Sequence, residues 1–457
     1  MGKSIKKFLK KDELLIHYGS SFEGTLNRIL AEIKKFQRKE NIPEEYIIDA
    51  KIAAPVLYFF SVWVLKKAKQ DGINRLYFLA RDGYIPWIFS KRISNSEKLG
   101  IECRYLYCSR RSLRIPCAHL LNKDEMIELI GSPSINLSYR KLLERVCCEK
   151  EVEYFLNKYS LNNAKQEIIS NNQREIFLNK LKTDTEFIDL VIRHSKEEYS
   201  LCRKYFIQEG LNEGRFGIVD TGWTGSIQHC LQVILTSMGY DKTIYGYYYG
   251  LFQTGGKRED GCLFAFDFDG RKSLKGVGGF CNNLLECMAY GPYGMTIGYR
   301  QNGELICPVF SSVKGLDEEK NRDSIFKKFG ELADCFELYK TMDDNEAYEW
   351  TKKTLRSISS FPSIQVAEFY GRIRFSDDIL DIREGELAHC LAKKQLHQLL
   401  FPIRFYFYLI KKPVHLSYWE CGAVSLTTDH FRKFYQKNII FWENIRLKRQ
   451  AKKQKIK

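Results

Sequence analysis

The sequence predicts an α/β protein with a largely parallel sheet, a helical insertion and a helical carboxyl-terminal region, and three observations carry that expectation. Through the first hundred residues the order is helix, strand, turn, helix, strand, which is the grammar of such a sheet. Short β runs return after a long helical stretch. Three of these runs end in turns rich in Gly or Arg, where an open α/β sheet presents its ligand-binding loops.

Taken in order, residues 24–38 place Leu26, Ile29, Leu30, Ile33 and Phe36 at helical spacing, which predicts an amphipathic helix. A more apolar helix over about 49–69 stops at Gln70-Asp71-Gly72. Its centre, 52–65, and the later run 399–410 are the most apolar stretches, and the second carries Arg404. Both are shorter than the ~20 residues a spanning helix needs, so both are expected to be buried helices. Residues 75–80 read as a strand halted by Arg81-Asp82-Gly83, 84–93 as a helix and 104–107 as a strand. From about 118 to 210 the pattern is helical and heavily charged. Strand character returns at 216–219, 244–249 and 262–266, and 294–304 reads as a hairpin because Asn302-Gly303 favours a tight I′ turn. Beyond 315 the chain is helical again, with Phe326, Phe329, Ala333 and Phe336 on one face. The expected division is a helical amino terminus with the first half of the α/β domain (1–117), a helical insertion (118–210), the second half of the domain (211–314) and a helical region with a basic tail (315–457).

At 457 residues the chain is long enough for two or three cores. Its 44% apolar and 28% charged residues are globular proportions, so disorder is not the default. A net charge of +16 suits nucleic acid, a membrane surface or a phosphorylated substrate. No RRM, KH, zinc-finger or helix-turn-helix signature is present, which puts nucleic acid last. Residues 446–457 hold seven of the cations, enough for peripheral contact with an anionic membrane. The 14 cysteines are scattered with no CxxC pair or zinc spacing, and the amino terminus lacks a signal-peptide core. Reduced thiols then point to the cytoplasm, with the inner face of the cell membrane as the place of any peripheral contact.

The first candidate loop is Asp220-Thr221-Gly222-Trp223-Thr224-Gly225-Ser226 after the strand 216–219. Its glycines let backbone amides approach an anion ahead of a helix beginning near Ser226, and Thr221, Thr224 and Ser226 add hydroxyl donors for phosphate oxygens. Asp220 at the strand end is placed to hold sugar hydroxyls, a Mg²⁺ ion or a transferred proton. No Lys follows the last Gly, so this is not a Walker A loop. The second loop is Ala80-Arg81-Asp82-Gly83-Tyr84, where Arg81 can clamp a phosphate and Asp82 can be a base or metal ligand. The third, Ser109-Arg110-Arg111 with Arg114 behind it, is an anion-binding candidate. Glu286, ahead of Tyr290-Gly291-Pro292-Tyr293-Gly294, could line the same crevice with those rings. A separate strand, 263–266, runs into Asp267-Phe268-Asp269-Gly270, the form in which haloacid-dehalogenase-type phosphatases present a nucleophile and an acid/base, although Arg271 stands where that family has Thr or Val.

Four motifs in order, 77–84, 105–113, 219–228 and 284–286 with the Tyr-Gly-Pro-Tyr-Gly run, resemble a bacterial family usually labelled predicted haloacid-dehalogenase-superfamily hydrolases and found with capsule and O-antigen genes. The resemblance covers about residues 45–310 and implies a role in surface polysaccharide assembly. Such proteins often carry an amino-terminal phosphatase domain with an Asp-x-Phe-Asp-Thr strand. That strand is not in this sequence, so the resemblance falls on the carboxyl-terminal module. The loop order is also similar to type I phosphoribosyltransferases, with one acidic residue, Asp220, before Thr-Gly-x-Thr in place of two. The expected fold is thus Rossmann-like or phosphoribosyltransferase-like. The expected function is transfer of a glycosyl, phosphoribosyl-type or phosphoryl group from a phosphorylated sugar or nucleotide sugar, with Mg²⁺ as a candidate cofactor. Alternatives are a phosphatase using Asp267 and Asp269, and a non-catalytic scaffold that brings glycosyltransferases of the pathway to the membrane.

Overall fold

Five strands form the centre of the computed structural model: β1 (Arg75–Leu79), β2 (Glu102–Leu106), β3 (Gly217–Trp223), β4 (Tyr245–Leu251) and β5 (Cys262–Asp269). They are ordered β2-β1-β3-β4-β5 and are parallel throughout. The structure describes residues 46–134, 137–252, 262–311, 343–375, 385–410, 414–428 and 430–455, with single positions between 24 and 43 and residue 340. Leu76 and Phe78 of β1 point into one core and Tyr77 and Leu79 into another. That split by alternate residues is what a sheet covered on both faces requires.

Helices α1 (Ile47–Lys51) and α2 (Ala53–Gln70) precede β1, and α3 (Tyr84–Ser96) joins β1 to β2. Between β2 and β3 the chain is helical: α4 (Arg110–Ala118), α5 (Lys123–Ile130), α6 (Tyr139–Glu144), α7 (Glu149–Lys158), α8 (Asn171–Thr183) and α9 (Thr185–Gln208). Side chains written into the sequence start these helices. Asn122 with Glu125, and Ser170 with Gln173, form reciprocal capping boxes. Helix α10 (Ser226–Ser237) joins β3 to β4, and α11 (Asn282–Ala289) leads from β5 to a hairpin of β6 (Thr296–Asn302) and β7 (Leu305–Phe310). The later elements are α12 (Asp344–Ser360), α13 (Ile364–Gly371), a two-residue ladder of β8 (Arg374–Phe375) and β9 (Gly385–Glu386), α14 (Lys393–Gln398), α15 (Phe401–Leu409), α16 (Glu420–Thr427) and α17 (Arg432–Lys455).

Helix α3 packs on the first face through Tyr84, Ile85, Phe89 and Ile93, beside α2, the later helices that carry Trp350 and Tyr370, and Trp419 just ahead of α16. Helix α10 packs on the second through Cys230, Leu231, Ile234 and Leu235, beside α4 and α9. The chain therefore leaves the neighbouring strands β1 and β3 towards opposite faces. Such a switch point opens a crevice at the carboxyl ends of the strands, where ligands of open α/β sheets bind. At the outer edge of β2 the Trp87 indole donates to the Cys103 carbonyl at 3.1 Å, and at the outer edge of β5 Arg271 donates to the Leu263 carbonyl at 2.7 Å.

Four local expectations change. Strand β3 runs on through Trp223 because Gly222 and Trp223 pair with Gly250 and Leu251 of β4, so half of the expected turn is sheet. The β6–β7 turn is centred on Gly303 and Glu304, because Asn302 pairs with Leu305; only Gly303, with φ 62°, has a positive φ, the pattern of a II′ turn rather than I′. The apolar helix reaches 24 residues, Ile47–Gln70, long enough to span a bilayer, yet 89% of its apolar window is buried inside the protein. The second apolar run is not a buried helix. In α15 only Arg404 is buried, while Tyr406 and Leu409 are 58% and 59% exposed. Arg404 lies inside because it forms two hydrogen bonds, 2.7 and 2.6 Å, with the Glu420 carboxylate. The expected helical face at Phe326–Phe336 lies outside the described residues, as do Leu26, Ile29, Leu30, Ile33 and Phe36, while the described positions of 24–38 are helical.

Candidate functional site at the switch point

The β1 turn supplies Arg81 and Asp82. Its sharpness depends on Gly83, where a Cβ would lie 2.5 Å from the Leu79 carbonyl oxygen. The Arg81 guanidinium sits 4.7 Å from the centre of the Tyr290 ring, which holds it near the crevice by a cation–π contact. The β3 turn meets the β1 turn directly, because Thr221 Oγ1 donates to Asp82 Oδ2 at 3.0 Å. Asp220 is buried, and its Oδ1 accepts from the Thr221 amide at 2.9 Å.

Beyond Thr221 the backbone is unusual. Gly222 has φ 115° and lies so close to β4 that a Cβ would stand 2.3 Å from the Gly250 carbonyl oxygen. Trp223 has φ 86°, a region costly for a residue with a side chain. The return for that strain is the position of the indole, whose Nε1 donates to Glu286 Oε1 at 2.6 Å while its rings meet Phe252 and Phe280. Gly225, with φ 67°, opens α10 without a side-chain cap. Thr224 is exposed, and its hydroxyl donates to Ser226 Oγ at 3.3 Å.

The third turn contributes Arg110 but not its neighbours. Ser109 caps α4, accepting from the Arg111 and Ser112 amides, and its hydroxyl donates to the Thr296 carbonyl of the hairpin. Arg111 points away, held by Glu198 of α9 through hydrogen bonds of 2.9 and 2.8 Å. Arg110 makes no hydrogen bond or ion pair with another described residue and lines a cavity of about 610 Å³ together with Trp223, Phe280 and Glu286. Four residues on, Arg114 reaches Ser226 Oγ at 3.5 Å and links the third turn to the first. That i, i+4 repeat with Arg110 was the available sequence signal, since such residues share one helix face.

Three carboxylates, Asp82, Asp220 and Glu286, feel one another's charge. Burial, then the charges of Asp82 and Glu286, push the Asp220 carboxyl well above the usual range. Burial and Asp82 raise Glu286 to about 7, against the opposing pull of Arg110, Arg81 and the Trp223 indole. Near neutral pH the cluster thus holds protons that isolated carboxylates would have lost. Among the described residues no group of three or more His, Cys, Asp or Glu side chains is placed to hold a metal ion. On β5, away from the crevice, Asp267 is paired with Arg356 of α12, and Asp269 with Arg271.

Fold and site together define an α/β protein whose parallel five-stranded sheet is covered on both faces and has a polar crevice at its switch point. No protein-family model matches the chain, and a search of curated proteins finds no match.

Proposed function

We propose that the crevice binds a phosphorylated sugar or nucleotide sugar and transfers a glycosyl or phosphoryl-linked group, within surface polysaccharide assembly in bacteria. The observation that carries this reading is Arg110, a cation that makes no hydrogen bond or ion pair with another described residue and acts only at a distance on Glu286 and Asp220, in the wall of a cavity shared with Trp223 and Glu286. A guanidinium so placed is suited to a phosphate, and Arg81 adds a second positive charge from the β1 turn. Trp223 and Phe280 offer ring faces to a sugar or base. Protonated Glu286 could donate to a leaving oxygen and, once ionised, take a proton from an attacking hydroxyl. Asp82 and Asp220 would hold a Mg²⁺ ion arriving with the phosphate, since Mg²⁺ is commonly bound by one or two carboxylates and substrate oxygens. The process, rather than the reaction, comes from the resemblance of the four motifs.

The test is a binding series with sugar 1-phosphates and nucleotide sugars, read by calorimetry on the parent and on Arg110→Ala. Losing one charge-assisted contact of about 1.5–3 kcal/mol predicts roughly 10- to 100-fold weaker binding. Equal affinity in the variant, or no binding of any member by the parent, defeats the reading.

A further inference from the structure

Eight of the fifteen large hydrophobic side chains that are exposed among the described residues fall between 403 and 441. They belong to two packed helices and their flanks: Ile403, Tyr406, Tyr408, Leu409 and Ile410 at α15, and Phe431, Phe434 and Phe441 at α17. The helices lie side by side, since the Phe401 ring meets those of Phe441 and Trp442 at 4.8 and 6.4 Å and the Tyr408 ring meets Trp442 at 5.4 Å. At 100° per residue, Phe434, Lys437, Phe441, Lys448 and Lys452 occupy one stripe of α17, and each is exposed. The apolar end of α15 lies against the basic end of α17, because the Arg449 guanidinium sits 5.3 and 5.2 Å from the Phe405 and Tyr408 ring centres.

We propose that this face docks on an anionic lipid bilayer, with the rings and aliphatic groups entering the interface and the lysines and arginines meeting headgroups. Exposed aromatic and aliphatic side chains beside clustered lysines and arginines supply the two attractions, apolar burial and charge, by which a peripheral surface binds anionic lipid. Charge complementarity selects lipid over a second copy of this chain, which would set the basic ends against one another or against an equally basic molecule of net charge +16. The surface stands apart from the sugar-phosphate reading, but it has a bearing on it. Tyr408, Trp442 and Arg446 line the same cavity as Arg110, Trp223 and Glu286. Docking through Tyr408 would bring that cavity wall to the lipid surface.

The experiment is co-sedimentation of the full chain with phosphatidylcholine vesicles made with and without phosphatidylglycerol. Binding is expected only with the anionic lipid. It should fall at least roughly tenfold in Leu409→Asp/Phe441→Asp and again in Lys448→Glu/Lys452→Glu, given about 1 kcal/mol per basic residue near such a membrane. Leu305→Asp, an exposed site on the hairpin, is the control and should bind as the parent does. All these positions are exposed, and the thermal midpoint of each variant reports that it has folded. No binding to anionic vesicles overturns the proposal, as does binding that survives Leu409→Asp/Phe441→Asp. A dimer in light scattering that those substitutions dissolve, without vesicle binding, assigns the face to a second copy and overturns it too.

Discussion

Replacing Glu286 by Gln tests the electrostatics of the crevice without a ligand. The carboxyl is raised from its ordinary 4.5 to about 7, by burial first and by Asp82 second. An acid whose folded value is raised binds more protons in the native than in the unfolded chain between those two values. Stability therefore falls as pH rises from about 4.5 to about 7 and is level above that. At 1.36 kcal/mol per pH unit the full effect is about 3 kcal/mol. Gln cannot ionise, yet its amide oxygen can still accept from the Trp223 indole, so the variant removes the titration and keeps the hydrogen bond. With an unfolding entropy near 2.1 cal/mol/K per residue over 457 residues, about 3 kcal/mol corresponds to about 3 °C if unfolding is a single transition. The assay is the difference in melting temperature between Glu286→Gln and the parent across pH 4.5 to 8. That difference should grow in favour of the variant by about 3 °C and then flatten above about pH 7. Histidines and the carboxylates outside the cluster titrate in both proteins and largely drop out of the difference. Parallel curves would refute the placement of Glu286 in a charged, buried cluster.

Two further substitutions probe the frame around the site. Gly222→Ala should cost about 3 kcal/mol or more, because the new Cβ meets the Gly250 carbonyl and an L residue is forced to φ 115°; denaturant midpoints report it, and parental stability would contradict the close approach. Arg404→Ala should cost about 3–5 kcal/mol by leaving the Glu420 carboxylate buried and uncompensated, whereas Arg404→Met with Glu420→Leu should recover much of that in the same assay.

The parallel sheet and its strands were legible because their apolar runs are short, β-rich and bounded by Gly and charged turns. The carboxyl-end loops could be named for the same reason. What the sequence concealed was settled by residues far away along the chain. Gly222 and Trp223 read as a turn until β4 is alongside them, and the site's Trp223–Glu286 bond joins residues 63 apart. Arg110 and Arg111 look alike in sequence, but Glu198 on α9 takes one and leaves the other facing the cavity. In α15 hydrophobicity alone pointed the wrong way, because the bidentate pairing of Arg404 with Glu420 decides which face turns inward.

The side chains at the two rims of the sheet bear on how this protein keeps to itself. An unpaired strand offers a row of carbonyls and amides to any other chain in extended form, which is the start of aggregation and strand exchange. Here the outward carbonyl of Cys103 on β2 is occupied by an indole and that of Leu263 on β5 by a guanidinium. An incoming strand would have to displace a bulky ring at one margin and a charged group at the other before it could register. Each rim of the five-stranded sheet is thus guarded at one outward carbonyl.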